Sequence, residues 1–66
     1  MAVLKVIELM AGSSEGWEDA TRKAVAKASE TLSNMRSAWV QDQSVTIKDG
    51  KIAEYRVTLK ATFEVR

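Results

Sequence analysis

The sequence has 66 residues, of which 45% are hydrophobic and 29% charged, and its 10 basic and 9 acidic residues leave a net charge of +1. This composition is typical of one small globular domain, residues 1–66. It excludes a disordered chain, and the mixed charges form no basic patch for nucleic acid. The sequence contains no cysteine or histidine. Disulfides and zinc therefore cannot stabilise this short chain, and we expect self-association to do so.

The first predicted element is a strand over residues 3–10, where strand-forming residues predominate, followed by turn residues at 11–14. Lys5 and Glu8 interrupt the apolar stretch, which is too short to cross a membrane. No charged leader precedes it. We therefore expect a cytoplasmic protein without a membrane segment.

A helix is predicted from about Gly16 to Asn34, because apolar residues recur there at helical spacing. The apolar face comprises Trp17, Ala20, Thr21, Ala24, Ala28, Leu32 and Met35. Ser14 or Gly16 is the expected N-cap, and Asn34 tolerates the left-handed conformation that ends helices. The small residues of this face predict close contact with whatever covers it.

Two further strands are predicted over residues 37–47 and 52–66, and Asp49-Gly50 between them predicts a hairpin turn. The last strand alternates strictly, so one of its faces is apolar. That face comprises Ala53, Tyr55, Val57, Leu59, Ala61, Phe63 and Val65. The strand would be about 45 Å long at ~3.3 Å per residue, longer than one short helix covers. Part of its apolar face is therefore expected to meet another subunit.

Little in the sequence predicts catalysis, because the usual nucleophile-and-base pairs and transition-metal sites need histidine or cysteine. Residues 12–16 precede a helix but lack the lysine and spacing of a phosphate-binding loop, so a turn and cap is favoured there. Trp17 is predicted to pack in the core. Trp39 shares its predicted strand face with Ser37, Gln41, Gln43, Val45 and Ile47. For Trp39 a subunit contact is favoured over ligand stacking and simple packing.

Several short segments, in this order and spacing, carry a resemblance to the dodecins from about Val3 to Val65. They are Lys5-Val6-Ile7-Glu8-Leu9, Gly12-Ser13-Ser14, Trp17-Glu18-Asp19-Ala20, Ala38-Trp39-Val40-Gln41-Asp42-Gln43, Asp49-Gly50, and Tyr55-Arg56-Val57 through Phe63. The resemblance implies an α+β fold of β-α-β-β order, with a three-stranded antiparallel sheet wrapped around one helix. It also implies a hollow homododecamer, built from trimers, that stores or buffers flavins without catalysing a reaction.

Flavin-binding dodecins stack the flavin between tryptophans near the start of strand 2 and hydrogen-bond its edge through a glutamine of strand 3. Matching the chains places Ser37 and Arg56 at these two positions. Serine cannot stack on a ring, and arginine donates hydrogen bonds without accepting them. Binding of riboflavin, FMN or FAD is therefore expected to be lost or weakened. Trp39, about 7 Å from Ser37 along the strand, and Gln43 are the other candidate contacts, so flavin sequestration through Trp39 remains an alternative.

Dodecin-like proteins that lack the flavin residues have been associated with calcium, and this chain resembles that branch at Arg36, Ser37 and Arg56. Calcium binds several oxygen ligands gathered at one point. The candidate metal ligands are Glu8, Asp42 and Glu54. They would converge only across symmetry-related copies. A calcium-binding or purely structural shell is thus the second alternative.

Overall fold

The computed structural model of the chain describes residues 3–65, which form β1 (Val3–Ser13), α1 (Trp17–Ser29), β2 (Met35–Lys48) and β3 (Lys51–Val65). The strands form one antiparallel sheet in the order β1-β3-β2, and α1 packs on one of its faces. The predicted β-α-β-β order and three-stranded antiparallel sheet are confirmed. We call the face that carries α1 the inner face and the opposite one the outer face.

Arg66, predicted as the last residue of the third strand, lies outside the described residues. Within residues 3–65, no helix has the length and apolar character needed to span a membrane.

The hairpin between β2 and β3 turns at the predicted dipeptide. Asp49 and Gly50 both have positive φ, at 53° and 75°. A two-residue type I′ turn requires this at both central positions, and its twist matches the twist of the flanking strands. The hairpin prediction is confirmed.

The strand β1 continues to Ser13, beyond the predicted end at residue 10. Gly12 and Ser13 stay in the sheet because they pair with Arg56 and Tyr55 of β3. The chain then leaves the sheet, and Gly16 caps the helix with φ 151°, a conformation that glycine adopts without strain. The predicted cap at Gly16 is confirmed.

The helix ends at Ser29, so its predicted end near Asn34 is wrong. The N–H groups of Thr31 and Leu32 still donate to the Ala28 carbonyl, at 3.2 and 2.9 Å, and close a last turn. Asn34 does adopt a left-handed conformation, with φ 63°. It does so after the helix, where its carbonyl accepts the N–H of Glu64 at 3.0 Å.

Two residues assigned to the helical face therefore lie outside the helix. Leu32 follows the last helical turn, and Met35 is the first residue of β2, opposite Phe63 of β3. Helical spacing alone suggested both positions. Pairing with β3 draws this segment into the sheet instead.

The core lies between the middle of α1 and the middle of β3. It consists of Ala20, Ala24, Ala28, Val57, Leu59 and Ala61, all of them buried. The predicted apolar faces of helix and strand are confirmed at these positions. Because the buried residues of the helix are all alanines, the middle of the helix can lie close to the sheet. Burying a side chain such as Leu59 contributes about 2 kcal/mol, so this small core supplies a modest driving force.

Trp17 joins the start of α1 to the far edge of the sheet. Its ring meets that of Tyr55 edge-on, with centroids 5.1 Å apart and an interplanar angle of 81°. Its Nε1 donates a hydrogen bond to the Ser44 carbonyl of β2 at 3.0 Å. The packing of Trp17 against the core, predicted from the sequence, is confirmed.

A bulge in β2 decides which side chains share a face. Val40 pairs with Leu59 and Asp42 with Thr58, so Gln41 has no partner of its own on β3. An extra residue of this kind shifts the alternation of the strand by one position. Trp39 therefore lies on the outer face. The residues Gln43, Val45 and Ile47, predicted to share its face, lie on the inner face.

A small polar cluster fastens the end of β1 to the first turn of α1. The buried Ser13 hydroxyl donates to the Asp19 carboxylate and accepts the N–H of Glu15. Lys23 lies one helical turn further on, with its Nζ 2.8 Å from Asp19 Oδ2. The hydrogen bonds from Lys23 and Ser13 lower the pKa of Asp19 below its usual 3.8. Asp19 in turn raises the pKa of Lys23 above 10.5.

These shifts predict an acid-dependent loss of stability. Because the pKa of Asp19 is lower in the folded chain, its stabilising effect is complete above about pH 3.8 and disappears as the pH falls through the lowered pKa. We expect Asp19→Asn to lower the thermal unfolding midpoint at neutral pH and to leave it nearly unchanged at the most acidic pH.

The control for Asp19→Asn is Glu18→Gln, which also removes a carboxylate from the first helical turn. Glu18 contacts only the exposed Arg22 in the described structure, so a smaller effect is expected. Midpoints measured by circular dichroism across the acid range provide the comparison. Equal, pH-independent effects of the two substitutions would contradict this role of Asp19.

Candidate functional site

The outer face of the sheet carries most of the candidate ligand-contacting side chains. Its centre is the polar row of β3, where Lys60 lies between Thr58 and Thr62. The register places Glu8 of β1 and Trp39 of β2 on either side of Lys60. The helix covers none of this face, so it is open to a ligand or to another subunit.

Ser37 lies near the start of this face and is already hydrogen-bonded. It pairs with Thr62, and the two hydroxyl oxygens are 2.6 Å apart. Thr62 Oγ1 also reaches the Ser37 carbonyl at 3.4 Å. The Ser37 position therefore presents a small, internally satisfied polar pair and no aromatic surface.

Trp39 lies two residues further along β2 and is 48% exposed. It faces away from α1 and stands directly opposite Lys60. An indole exposed beside an ammonium group is suited to a flat ligand that carries negative charge. Among the described residues, Trp39 is the aromatic side chain exposed on this part of the outer face.

Arg56 lies further along β3, on the same face, and is held by a neighbour on its own strand. Its Nε donates to Glu54 Oε1 at 2.7 Å, and both side chains are partly exposed. The Glu54 carboxylate folds over the backbone of Gly12, where a Cβ atom would overlap it. The missing side chain of Gly12 thus gives Glu54 the room to engage Arg56 on the β1 side of the sheet.

Gln43 does not join the other candidate contacts. It pairs with Val57, whose side chain is buried beneath α1, so Gln43 lies on the inner face. The prediction that it shares a face with Trp39 is wrong, because the bulge at Gln41 intervenes. Of the four candidate flavin contacts, Ser37, Trp39 and Arg56 share the outer face.

The three candidate metal ligands also share the outer face but do not meet. Glu8 is opposite Lys60 and Asp42 is opposite Thr58, so β3 separates them by about 10 Å. Glu54 lies four residues from Thr58, about 13 Å along the strand. Among residues 3–65, no three acidic side chains are placed to hold one ion. A cation site built from these residues needs more than one copy of the chain.

The outer face has a small depression beside one of the candidate residues. A depression of about 230 Å³ lies next to Arg56 and is lined by Met10, Ala11, Gly12, Glu54 and Arg56. Pockets that bury a drug-sized ligand measure roughly 300–1,000 Å³. A flavin-sized ligand on this face therefore needs a second surface to enclose it.

Sequence reasoning missed the immediate partners of the candidate residues. The sequence predicts no role for Thr62 or Lys60, and it presents Glu54 only as a candidate metal ligand. Their roles depend on which residues the strands bring opposite one another. The alternation of β3 indicated their face, but only the register shows that Thr62 lies against Ser37 and Lys60 beside Trp39.

Comparison with known proteins gives this arrangement a family context. The sequence model of the family described as Dodecin matches residues 3–66. The chain belongs to the dodecin family. It is 32% identical to the calcium dodecin of Mycobacterium tuberculosis, over 100% of this chain and 93% of that protein. It is 35% identical to the dodecin of Thermus thermophilus, over 96% of this chain and 91% of that protein.

Solved dodecin structures share the fold. The dodecin of Streptomyces coelicolor superposes with a TM-score of 0.94 at 32% identity, over 98% of this chain and 93% of that one. The calcium dodecin of M. tuberculosis, described as calcium-chelating with a novel calcium-binding site, gives a TM-score of 0.86 at 35% identity, over 97% and 91% of the two chains. The fold is therefore shared with a protein named dodecin and with one named calcium dodecin.

The packing of Glu54 over Gly12 predicts a measurable coupling. In Gly12→Ala the new methyl group displaces the carboxylate and disrupts its pair with Arg56, whereas in a Glu54→Gln background the pair is already weakened. We expect a coupling free energy of about 0.5 kcal/mol, in the range of partly exposed ion pairs. A double-mutant cycle by urea unfolding measures it. Strict additivity would show that Gly12 and Glu54 act independently.

Proposed function

We propose that this chain is the subunit of a non-enzymatic, homo-oligomeric dodecin that binds a small ligand or ion, with the usual flavin binding of the family lost or much weakened. Membership of the dodecin family supports the class of protein. The observation that carries the ligand argument is the state of two side chains on the outer face: Ser37 is bonded to Thr62, and Arg56 is bonded to Glu54.

Self-association is supported by the shape of the subunit. Its radius of gyration is 13.6 Å and its extents are 51 × 20 × 13 Å, whereas a compact chain of this length has a radius of about 11 Å. It exposes 4844 Å², against about 4,200 Å² for a folded monomer of its mass. A subunit that is elongated and exposes excess surface is suited to assembly. The resemblance to dodecins makes a dodecamer built from trimers the proposed form.

Weakened flavin binding follows from the chemistry of both positions. Ser37 offers no ring, so the stacking term of roughly 0.5–1.5 kcal/mol beyond area burial is missing. Arg56 has no acceptor atom to match a flavin edge, and its Nε is engaged by Glu54. Neither the stacking nor the edge recognition that the family resemblance implies is available here.

Riboflavin titration tests this proposal. We expect the chain to quench riboflavin fluorescence only weakly at micromolar protein, and the double variant Ser37→Trp/Arg56→Gln to quench it strongly. The matched control is Ser44→Trp/Arg56→Gln, because Ser44 lies on the same face of β2 but away from the start of the strand. Strong quenching by the unmodified chain would refute the proposed loss.

One alternative is flavin sequestration through Trp39, which its exposure beside Lys60 favours. The same titration separates the two proposals. Sequestration predicts strong quenching by the unmodified chain, a small loss in Trp39→Phe and a large loss in Trp39→Ala. Quenching that is indifferent to Trp39→Ala would exclude this alternative.

A second alternative is calcium binding, which the placement of Glu8, Asp42 and Glu54 on one face favours. If the assembled chain binds calcium, saturating calcium raises its stability, by about 2.7 kcal/mol at one hundred times the dissociation constant. We then expect a higher thermal midpoint with calcium, a smaller rise with magnesium and none with riboflavin. The variant Glu8→Gln/Asp42→Asn removes the effect if these ligands are correct, and an unchanged effect places the ion elsewhere.

A further inference from the structure

Lys60 holds an unpaired positive charge at the centre of the outer face. It is half-buried, and among the described residues its ammonium group has no hydrogen-bond or ion-pair partner. Glu8 stands directly opposite on β1, but the two side chains form no salt bridge in the described structure. By contrast, Arg56 on the same face of β3 is paired with Glu54. The charge of Lys60 therefore remains available to a ligand.

The ring of Trp39 is also unused by the chain. Trp39 and Lys60 are paired across β2 and β3, which places their Cβ atoms roughly 4.5–5.5 Å apart. Among the described residues, no aromatic ring and no cation stacks on this indole. Trp17, by contrast, packs against Tyr55 and donates a hydrogen bond to the Ser44 carbonyl. An open aromatic surface and a free ammonium group thus lie side by side on the outer face.

The side chains around this pair restrict the charge of a ligand. Glu8 flanks Lys60 on β1, and Asp42 follows Trp39 along the outer face of β2. These two carboxylates repel a phosphate, which carries nearly two negative charges at neutral pH, more than a carboxylate, which carries one. A neutral ring gains no ion pair from Lys60, and a cation stacked on the indole is repelled by it. The pair therefore suits a flat ring that carries one negative charge.

We propose that Trp39 and Lys60 form a binding site for small aromatic carboxylates. The ring of the ligand stacks on the indole, and its carboxylate accepts hydrogen bonds from the Lys60 ammonium group. This inference rests on the ligand binding in the proposed function and names the class of ligand. Flavins fall outside this class, because riboflavin is uncharged at neutral pH and FMN and FAD carry phosphates. The site also differs from the Ser37 and Arg56 positions implied by the family resemblance.

Fluorine NMR of the full chain labelled with 5-fluorotryptophan tests this site. The chain has two tryptophans, so it gives two signals, which Trp39→Phe assigns, and Trp17 serves as the internal control. The probes share one ring system: 2-naphthoate, neutral 2-naphthylmethanol, cationic 2-naphthylmethylammonium and 2-naphthyl phosphate. We expect 2-naphthoate to shift the Trp39 signal alone and to bind roughly fivefold more tightly than the alcohol. High salt is expected to reduce this preference.

Substitutions separate the contribution of the charge from that of the ring, with affinities measured by equilibrium dialysis. Lys60→Gln is expected to lower the affinity for 2-naphthoate about fivefold and to leave that for the alcohol unchanged, whereas Lys60→Arg retains both. The matched control, Lys48→Gln, removes an exposed lysine at the hairpin end of β2 and is expected to change neither. Trp39→Ala is expected to lower both affinities about tenfold. Circular dichroism checks the fold of each variant.

Three results overturn the aromatic carboxylate site. They are a Trp39 signal that no probe shifts, an affinity for the alcohol, the ammonium or the phosphate that equals or exceeds that for 2-naphthoate, and binding of 2-naphthoate that Lys60→Gln leaves unchanged. The proposed function fails by a different result, which is strong quenching of riboflavin by the unmodified chain. The two proposals are therefore tested separately.

Discussion

The helix is shorter and narrower than the sheet on which it packs. With 13 residues it is about 20 Å long, whereas β3 has 15 residues and extends for about 45 Å. One helix about 10 Å wide also cannot cover three strands spaced ~4.8 Å apart together with their side chains. The helix therefore buries the middle of β3 and leaves the sheet ends and the inner face of β2 exposed. The small core, the elongated shape and the excess surface all follow from this mismatch.

The alanines of α1 allow close packing over the short length along which the helix contacts β3. Ala20, Ala24 and Ala28 let the helix lie close to β3, where Val57 and Leu59 are almost fully buried. The same choice limits the apolar area that one chain buries, since methyl groups contribute little surface. The sequence has no cysteine or histidine for disulfides or a zinc site, so the proposed association with other copies would add to the stability of this small core.

The bulge at Gln41 gives the two faces of β2 different side chains. On the inner face the strand presents a nearly uninterrupted apolar row, which suits contact with another subunit. On the outer face it presents Trp39 next to the polar row of β3, which suits a ligand. The engagement of Ser37 and Arg56 with Thr62 and Glu54 distinguishes this outer face from the flavin site implied by the family resemblance.

The sequence by itself determined the elements with strong local signals. The alternation of β3, the helical spacing of Trp17, Ala20, Ala24 and Ala28, and the Asp49-Gly50 turn each depend on neighbouring residues, so each was predictable. The length of β3 relative to one helix also indicated an incomplete subunit. The family resemblance added that the three strands form one antiparallel sheet wrapped around the helix.

Tertiary structure alone decided the ends of α1 and β1, the face of Trp39 and the partners of the candidate residues. Asn34 adopts the predicted left-handed conformation, but hydrogen bonding to β3 moves it out of the helix. One unpaired residue, Gln41, reverses the faces of everything that follows it in β2. Such outcomes depend on pairing between residues far apart in the chain, and a local pattern carries no information about where a partner strand adds or skips a residue.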